Sequence, residues 1–235
     1  MKRILVVLSV VLISCANNTT SSQVVKHIEA KVFKTSIANE ESIILDVRTS
    51  QEFKSGHINQ ATNIDFYGTE FKEKLSLVNK NVPVYVYCRS GNRSGKTAAI
   101  MESLGFKEVY NLIGGIGAWT GNNFKVVKNK NLKTVPQPSF TKQQLNSVIN
   151  SNELVLIDFS TQWCVPCKKM KPIVTEIKQE NKDVEVLFVD VDANKDLAKE
   201  YAVQSVPVFL VFKNGKEIFR HTGIIEKNEL IKQLK

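Results

Sequence analysis

The sequence predicts an α/β protein built from two successive domains. Three observations carry this reading: apolar strand-like runs alternate with helix-like stretches in two separate segments, a lysine-rich and proline-containing stretch at 127–138 parts them, and neither segment repeats the other. At 235 residues the chain has room for two domains of ordinary size, and 43% hydrophobic with 23% charged residues suits a packed core.

The N-terminus stands outside both domains. Lys2 and Arg3 precede an apolar stretch at 4–13 broken only by Ser9, and about ten residues fall well short of the roughly twenty that cross a bilayer. The stretch therefore reads as a signal peptide. It ends Leu12-Ile13-Ser14-Cys15, which resembles the bacterial lipoprotein cleavage box. That resemblance implies removal of the leader, diacylation of Cys15 and a lipid anchor. The alternative is an ordinary secretory signal with a chance cysteine near its end. Residues 16–26 contain the polar run Asn17-Asn18-Thr19-Thr20-Ser21-Ser22, too poor in apolar surface to fold, and suit a tether. The expected location is the cell envelope, with the chain lipid-anchored to a bacterial membrane and facing the periplasm or exterior.

The first domain is placed at 27–126. Ile43-Ile44-Leu45-Asp46-Val47 and Val82-Pro83-Val84-Tyr85-Val86-Tyr87 read as buried strands, with a helix at 95–104 after the second. Residues 127–138 form the linker. The second domain, 139–235, has strand-like runs at 154–159, 184–189 and 208–212. Lys213-Asn214-Gly215-Lys216 then signals a hairpin leading to Glu217-Ile218-Phe219-Arg220, and a last helix covers 230–234.

The net charge of +9 is spread along polar faces without a dense basic run or an aromatic-interleaved stripe, so no nucleic-acid partner is expected. Attraction to an anionic lipid surface is the milder consequence. The four cysteines are Cys15, Cys88, Cys164 and Cys167. With Cys15 acylated, three thiols remain, an odd number that argues against a structural disulfide framework and toward redox or nucleophilic chemistry.

Cys88 closes an apolar strand and opens the loop Arg89-Ser90-Gly91-Asn92-Arg93-Ser94 ahead of a helix. A sulfur there faces backbone N–H groups and the positive end of a helix dipole, both of which favour the thiolate. Gly91 and Asn92 tolerate the positive φ that curls such a loop into an anion-binding nest. A buried, inert cysteine is the plainer alternative, though flanking arginines and glycine are poor core company.

Around this loop the segment 32–122 resembles the rhodanese family. The resemblance is carried by Leu45-Asp46-Val47-Arg48, Glu52-Phe53, Gly56-His57-Ile58, Ala61-Thr62-Asn63-Ile64, Leu112-Ile113-Gly114-Gly115 and Trp119. It implies a central, mainly parallel sheet and a Cys88 that accepts sulfane sulfur as a persulfide. The loop N–H groups with Arg89 or Arg93 would bind an anionic donor such as thiosulfate. Related phosphatases place arginine six residues after the cysteine, where this chain has Ser94, and that shorter loop favours sulfur over phosphate. Asp46, Arg48, Glu52 and His57 are expected to support the fold and the loop.

Trp163-Cys164-Val165-Pro166-Cys167-Lys168 follows a strand and opens a helix, so Cys164 is the expected attacking thiolate and Cys167, about one turn later, the resolving one. A C-x-x-C pair also serves as half of a zinc site, but two further ligands are wanted and the histidines are only His27, His57 and His221, so no metal is expected. This half, 139–235, is similar to thioredoxin. That resemblance implies a mixed sheet flanked by helices, a redox-active Cys164–Cys167 disulfide without any cofactor, a buried acid at Asp158 that assists Cys167, and a cis-proline at Pro207 that faces the disulfide and receives substrate. Trp163 is expected to border the same surface. Two departures are visible. Val165 replaces the usual glycine, which leaves reductase or oxidase direction open, and Phe188 stands where many relatives carry a lysine.

Jointly, the motifs lead to an exported sulfurtransferase coupled to a thiol-disulfide oxidoreductase, in which Cys164 and Cys167 reduce a persulfide on Cys88. The alternative is a general envelope disulfide oxidoreductase whose first domain acts independently or recognises a partner. Expected partners are a sulfane-sulfur donor, protein or small-molecule thiols and disulfides, and a membrane reductant as electron source.

Overall fold

The computed structural model describes residues 23–38, 42–128 and 139–235; the leader with Cys15, and 129–138 of the linker, lie outside the described residues. In the first domain the elements run β1 (Val25–Ile28), α1 (Ala30–Ser36), β2 (Ile43–Asp46), α2 (Ser50–Ser55), β3 (Thr62–Asn63), α3 (Phe71–Ser76), β4 (Val84–Tyr87), α4 (Asn92–Ser103), β5 (Val109–Leu112) and α5 (Gly115–Gly121). The strands form one parallel sheet in the order β1-β5-β4-β2-β3. Every residue of β2 and β4 is buried, which their near-continuous apolar sequences require of strands covered on both faces. One face packs Leu45, Val86, Leu75 and Met101, the other Phe33, Ile44, Tyr87 and Trp119.

Two boundaries differ from the sequence expectation at this domain's edges. Val25 and Lys26, assigned by composition to the tether, belong to β1 and pair with Val109 and Tyr110. Val127, placed in the linker, exchanges both backbone hydrogen bonds with His57, at 2.9 and 2.8 Å. Backbone pairing with a distant segment decides both cases, and local composition carries no trace of it.

The second domain contains α6 (Lys142–Ser151), β6 (Leu154–Ser160), α7 (Val165–Glu180), β7 (Val184–Asp190), α8 (Lys195–Glu200), β8 (Val208–Lys213), β9 (Lys216–Thr222) and α9 (Lys227–Lys232). Its sheet is mixed, ordered β7-β6-β8-β9, with β6 parallel to β7 and antiparallel to β8. Thr141 and Gln144 form a reciprocal capping box that starts α6. Asn214 and Gly215 both take positive φ, 50° and 79°, as a two-residue hairpin turn between β8 and β9 demands. Phe159 and Phe209 are fully buried on opposite faces of this sheet, each contributing on the order of 1.5–3 kcal/mol.

The two domains touch directly. Leu77, just after α3, packs against the second domain's core, and Trp163 packs against the first domain's. The Val206 N–H donates to the Leu77 carbonyl at 2.9 Å, and the Val165 N–H donates to Thr62 Oγ1 at 3.2 Å. Lys195 pairs with Glu70 at 2.9 Å and Glu73 at 3.0 Å on the rim.

Candidate active sites at Cys88 and Cys164–Cys167

Cys88 sits one residue beyond the carboxyl end of β4, a strand flanked on both sides, which is where open α/β sheets present their ligand sites. Gly91 adopts φ 95° as the residue capping α4, a left-handed conformation that costs glycine nothing. Asn92, expected to share that conformation, is instead the first residue of α4, so the helix begins three residues earlier than its apolar pattern suggests. The chain is thereby curled around the sulfur. The Gly91 N–H donates to Cys88 Sγ at 3.2 Å, and the fully buried Ser94 hydroxyl at 3.4 Å.

Burial alone pushes the Cys88 thiol up. Hydrogen bonds from the Ser94 side chain and from the N–H groups of Ser94, Ser90 and Gly91 outweigh it and hold the pKa below the ordinary value. The glycine pair supports the loop from beneath. A side chain at Gly115 would collide with the Cys88 carbonyl and Arg89, and that close approach lets the Ile116 and Gly117 N–H groups bond the Cys88 and Arg89 carbonyls at 2.8 and 3.1 Å.

The two loop arginines separate. Arg93 is clamped by Glu52 through two bonds of 2.8 Å and lies 5.6 Å from the centre of the Tyr67 ring. The Arg93 bonds hold the Glu52 carboxyl down to about 2, against its partial burial. Arg89 and Ser90 are exposed at the mouth of the loop. Asp46 and Arg48 are a buried bidentate pair, with Arg48 Nη2 also donating to the Gly56 carbonyl at 2.7 Å; they brace the β2 end beside the loop. His57 is 2% exposed, stacks on Phe53 and bonds the Phe53 carbonyl, and burial lowers its pKa, so its place is structural.

At the second site Cys164 caps α7 and forms a disulfide with Cys167. Its sulfur accepts the Cys167 N–H at 3.1 Å and lies 3.8 Å from the Val206 carbonyl, beside the cis Val206–Pro207 peptide. Both cysteines are only 3% exposed. Trp163 donates through Nε1 to Asp192 at 2.8 Å. Asp158 is buried in β6 with no hydrogen-bond partner for either carboxyl oxygen among the described residues, and burial raises its pKa to about 7, partly offset by Lys171.

Lys171 was not singled out from sequence. It supplies a positive charge toward Asp158 although Phe188 holds the paired strand position, and its amine lies 6.0 Å from the Phe188 ring centre. Its spacing of seven residues from Cys164, two helical turns on one face, is a signal that could have found it. Asp192, Thr62 and Leu77 carry no such local signal. Among the described residues no group of three or more His, Cys, Asp or Glu could hold a metal ion, and no helix is long and apolar enough to cross a membrane.

A family model described as Thioredoxin matches residues 136–235. Thioredoxin of Mycoplasmoides gallisepticum is 38% identical over 94 residues, covering 40% of this chain and 94% of that protein. The C-terminal half of the chain belongs to the thioredoxin family. Thioredoxins of Chlamydia trachomatis, 43% identical over 34% of this chain and 78% of theirs, and Rickettsia felis, 39% identical over 41% and 90%, align with comparable strength. A second model, described as Rhodanese-like domain, matches residues 29–122. The chain is thus a rhodanese-like domain fused to a thioredoxin domain, and its redox group is the Cys164–Cys167 disulfide.

Proposed function

We propose that the protein reduces sulfane sulfur, with Cys88 as the carrier and Cys164–Cys167 as the electron source. The carrying observation is the Cys88 sulfur itself, held by the Gly91 N–H and the Ser94 hydroxyl in a chain that also owns a dithiol. The Cys88 thiolate attacks the outer sulfur of a donor such as thiosulfate, forming a persulfide and releasing sulfite. The Cys164 thiolate takes that terminal sulfur and returns Cys88 as thiolate. Cys167 then attacks Cys164 Sγ, closing the disulfide and expelling hydrosulfide, so two electrons pass from the dithiol to sulfur. A thiol or membrane reductant must restore the dithiol.

Intact-protein mass spectrometry after thiosulfate treatment of the reduced protein tests this. Cys164→Ser should keep a one-sulfur adduct on Cys88 that the wild type discharges while forming its disulfide. An adduct that persists equally in both proteins would instead favour two independent sites and a general disulfide oxidoreductase. That second reading has an observation in its favour: none of residues 88–94 lines the cavity of about 230 Å³ between the domains beside the dithiol.

We further propose export and lipid anchoring through Cys15, on the strength of the leader pattern. Incorporation of labelled palmitate that is lost in Cys15→Ala is the expected result; equal labelling of the variant would refute the anchor.

A further inference from the structure

We infer that the rhodanese-like domain is a lid on the dithiol centre: residues 77–79 occupy the ledge beside Cys164–Cys167, and a protein disulfide reaches Cys164 only after the domains part. Thiol-disulfide exchange needs the attacked sulfur open to an incoming thiolate. Here both sulfurs belong to residues 3% exposed. The backbone donor next to them, the Val206 N–H, is taken by the Leu77 carbonyl at 2.9 Å. The Leu77 side chain packs on the cluster that contains both cysteines.

The cover continues on either side. The Val165 N–H, at the first turn of α7 and next to Cys164, is taken by Thr62 Oγ1. Asn79 approaches Gly223 so closely that a side chain there would meet its amide at 3.2 Å. Between these contacts lies the cavity of about 230 Å³, lined by Ile43, Thr62 and Asn79 from one domain and Val165, Pro207 and His221 from the other. The lid thus presents to the ledge a main-chain carbonyl and an apolar side chain. A competing partner is an extended protein segment offering the same pair, as in recognition by main-chain hydrogen bonding.

The cover is also built to release. Among the described residues its contacts across the domain boundary include two backbone donors, a few apolar contacts, and ion pairs from Lys195 to Glu70 and Glu73 whose side chains are 43–51% exposed. Exposed pairs of this kind hold weakly. A minor open population then sets the reactivity of the disulfide, which falls in proportion to that fraction. The lid stands independently of the persulfide relay, since it concerns access to Cys164 and not the chemistry of Cys88.

The test is the rate at which dithiothreitol reduces Cys164–Cys167 in the oxidised full chain, followed by acid quench, alkylation and mass spectrometry of the peptide carrying both cysteines. Leu77→Asp places a charge against the apolar cluster and should accelerate reduction about tenfold by raising the open fraction. Lys195→Glu sets a third carboxylate against Glu70 and Glu73 and should accelerate it about threefold. Wild-type rates in both variants would overturn the lid. Should Leu77→Asp lose the wild-type circular dichroism, Lys195→Glu, at an exposed position, decides alone.

Discussion

Cys88 and Cys164 occupy the same local setting and are equipped for different tasks. Each follows a strand and stands at the mouth of a helix longer than ten residues, where N–H groups and the dipole favour a sulfur anion. Around Cys88 every partner is a fixed donor: the Gly91 N–H, the Ser94 hydroxyl and the loop amides. Such a site holds an anionic sulfur but has no second sulfur to discharge it. Around Cys164 the decisive neighbour is Cys167, which bonds to its sulfur as a disulfide, with the unpartnered Asp158 buried in the adjacent strand. One helix mouth surrounds its sulfur with donors, the other pairs it with a second sulfur, and the contrast lies in the few residues placed around each.

The largest expected effect sharpens the exchange side. Asp158 keeps its proton up to about 7 in the folded chain because burial penalises the charged form, whereas its ordinary value is 3.8. Between about pH 4 and 7 the folded state therefore binds more protons than the unfolded state, and stability falls as pH rises through that window. Asp158→Asn removes the titration. The variant should gain a few kcal/mol on wild type above pH 7 and nothing below about pH 4. Urea midpoints of the C-terminal transition measured from pH 4 to 8 check this; a gap that stays constant with pH would mean that the buried carboxyl does not titrate as described. Nothing comparable is expected at Cys88, where the neighbouring carboxylate, Glu52, is depressed to about 2 and stays charged throughout that range.

The same contrast explains what could be seen in the sequence. Strand runs such as 154–159, the hairpin at Asn214-Gly215 and the cap at Cys164 announce themselves because apolar continuity, positive φ and helix starts are local requirements. Both cysteine sites were legible for that reason: each is a contiguous loop. The start of α4 at Asn92 was missed because Gly91 turns the chain sooner than the apolar period implies. That Arg93 is held by Glu52 could not be read locally, because its partner lies 41 residues away. The cover over Cys164 was invisible: Thr62 and Leu77 reach it across separations of 103 and 129 residues, and nothing in Leu77 itself distinguishes an interface leucine from a core one.

A smaller effect breaks or sharpens the Cys88 side. Among the causes that lower the Cys88 pKa, the Ser94 hydroxyl is the largest, set against burial that raises it. Ser94→Ala deletes that donor, leaves the backbone N–H groups in place and adds no volume to a fully buried position. With burial then opposed by the backbone alone, the thiolate becomes harder to form. The pH midpoint of Cys88 alkylation by iodoacetamide should move upward, and the rate at neutral pH should drop about tenfold, the low end of what one hydrogen bond to a charged group is worth. Peptide-resolved mass spectrometry on the oxidised protein isolates Cys88, because Cys164 and Cys167 are tied in their disulfide. An unchanged midpoint would assign the anion to the loop amides alone; Cys88 would then resemble Cys164 more closely, a sulfur held by its helix mouth with no side-chain donor required.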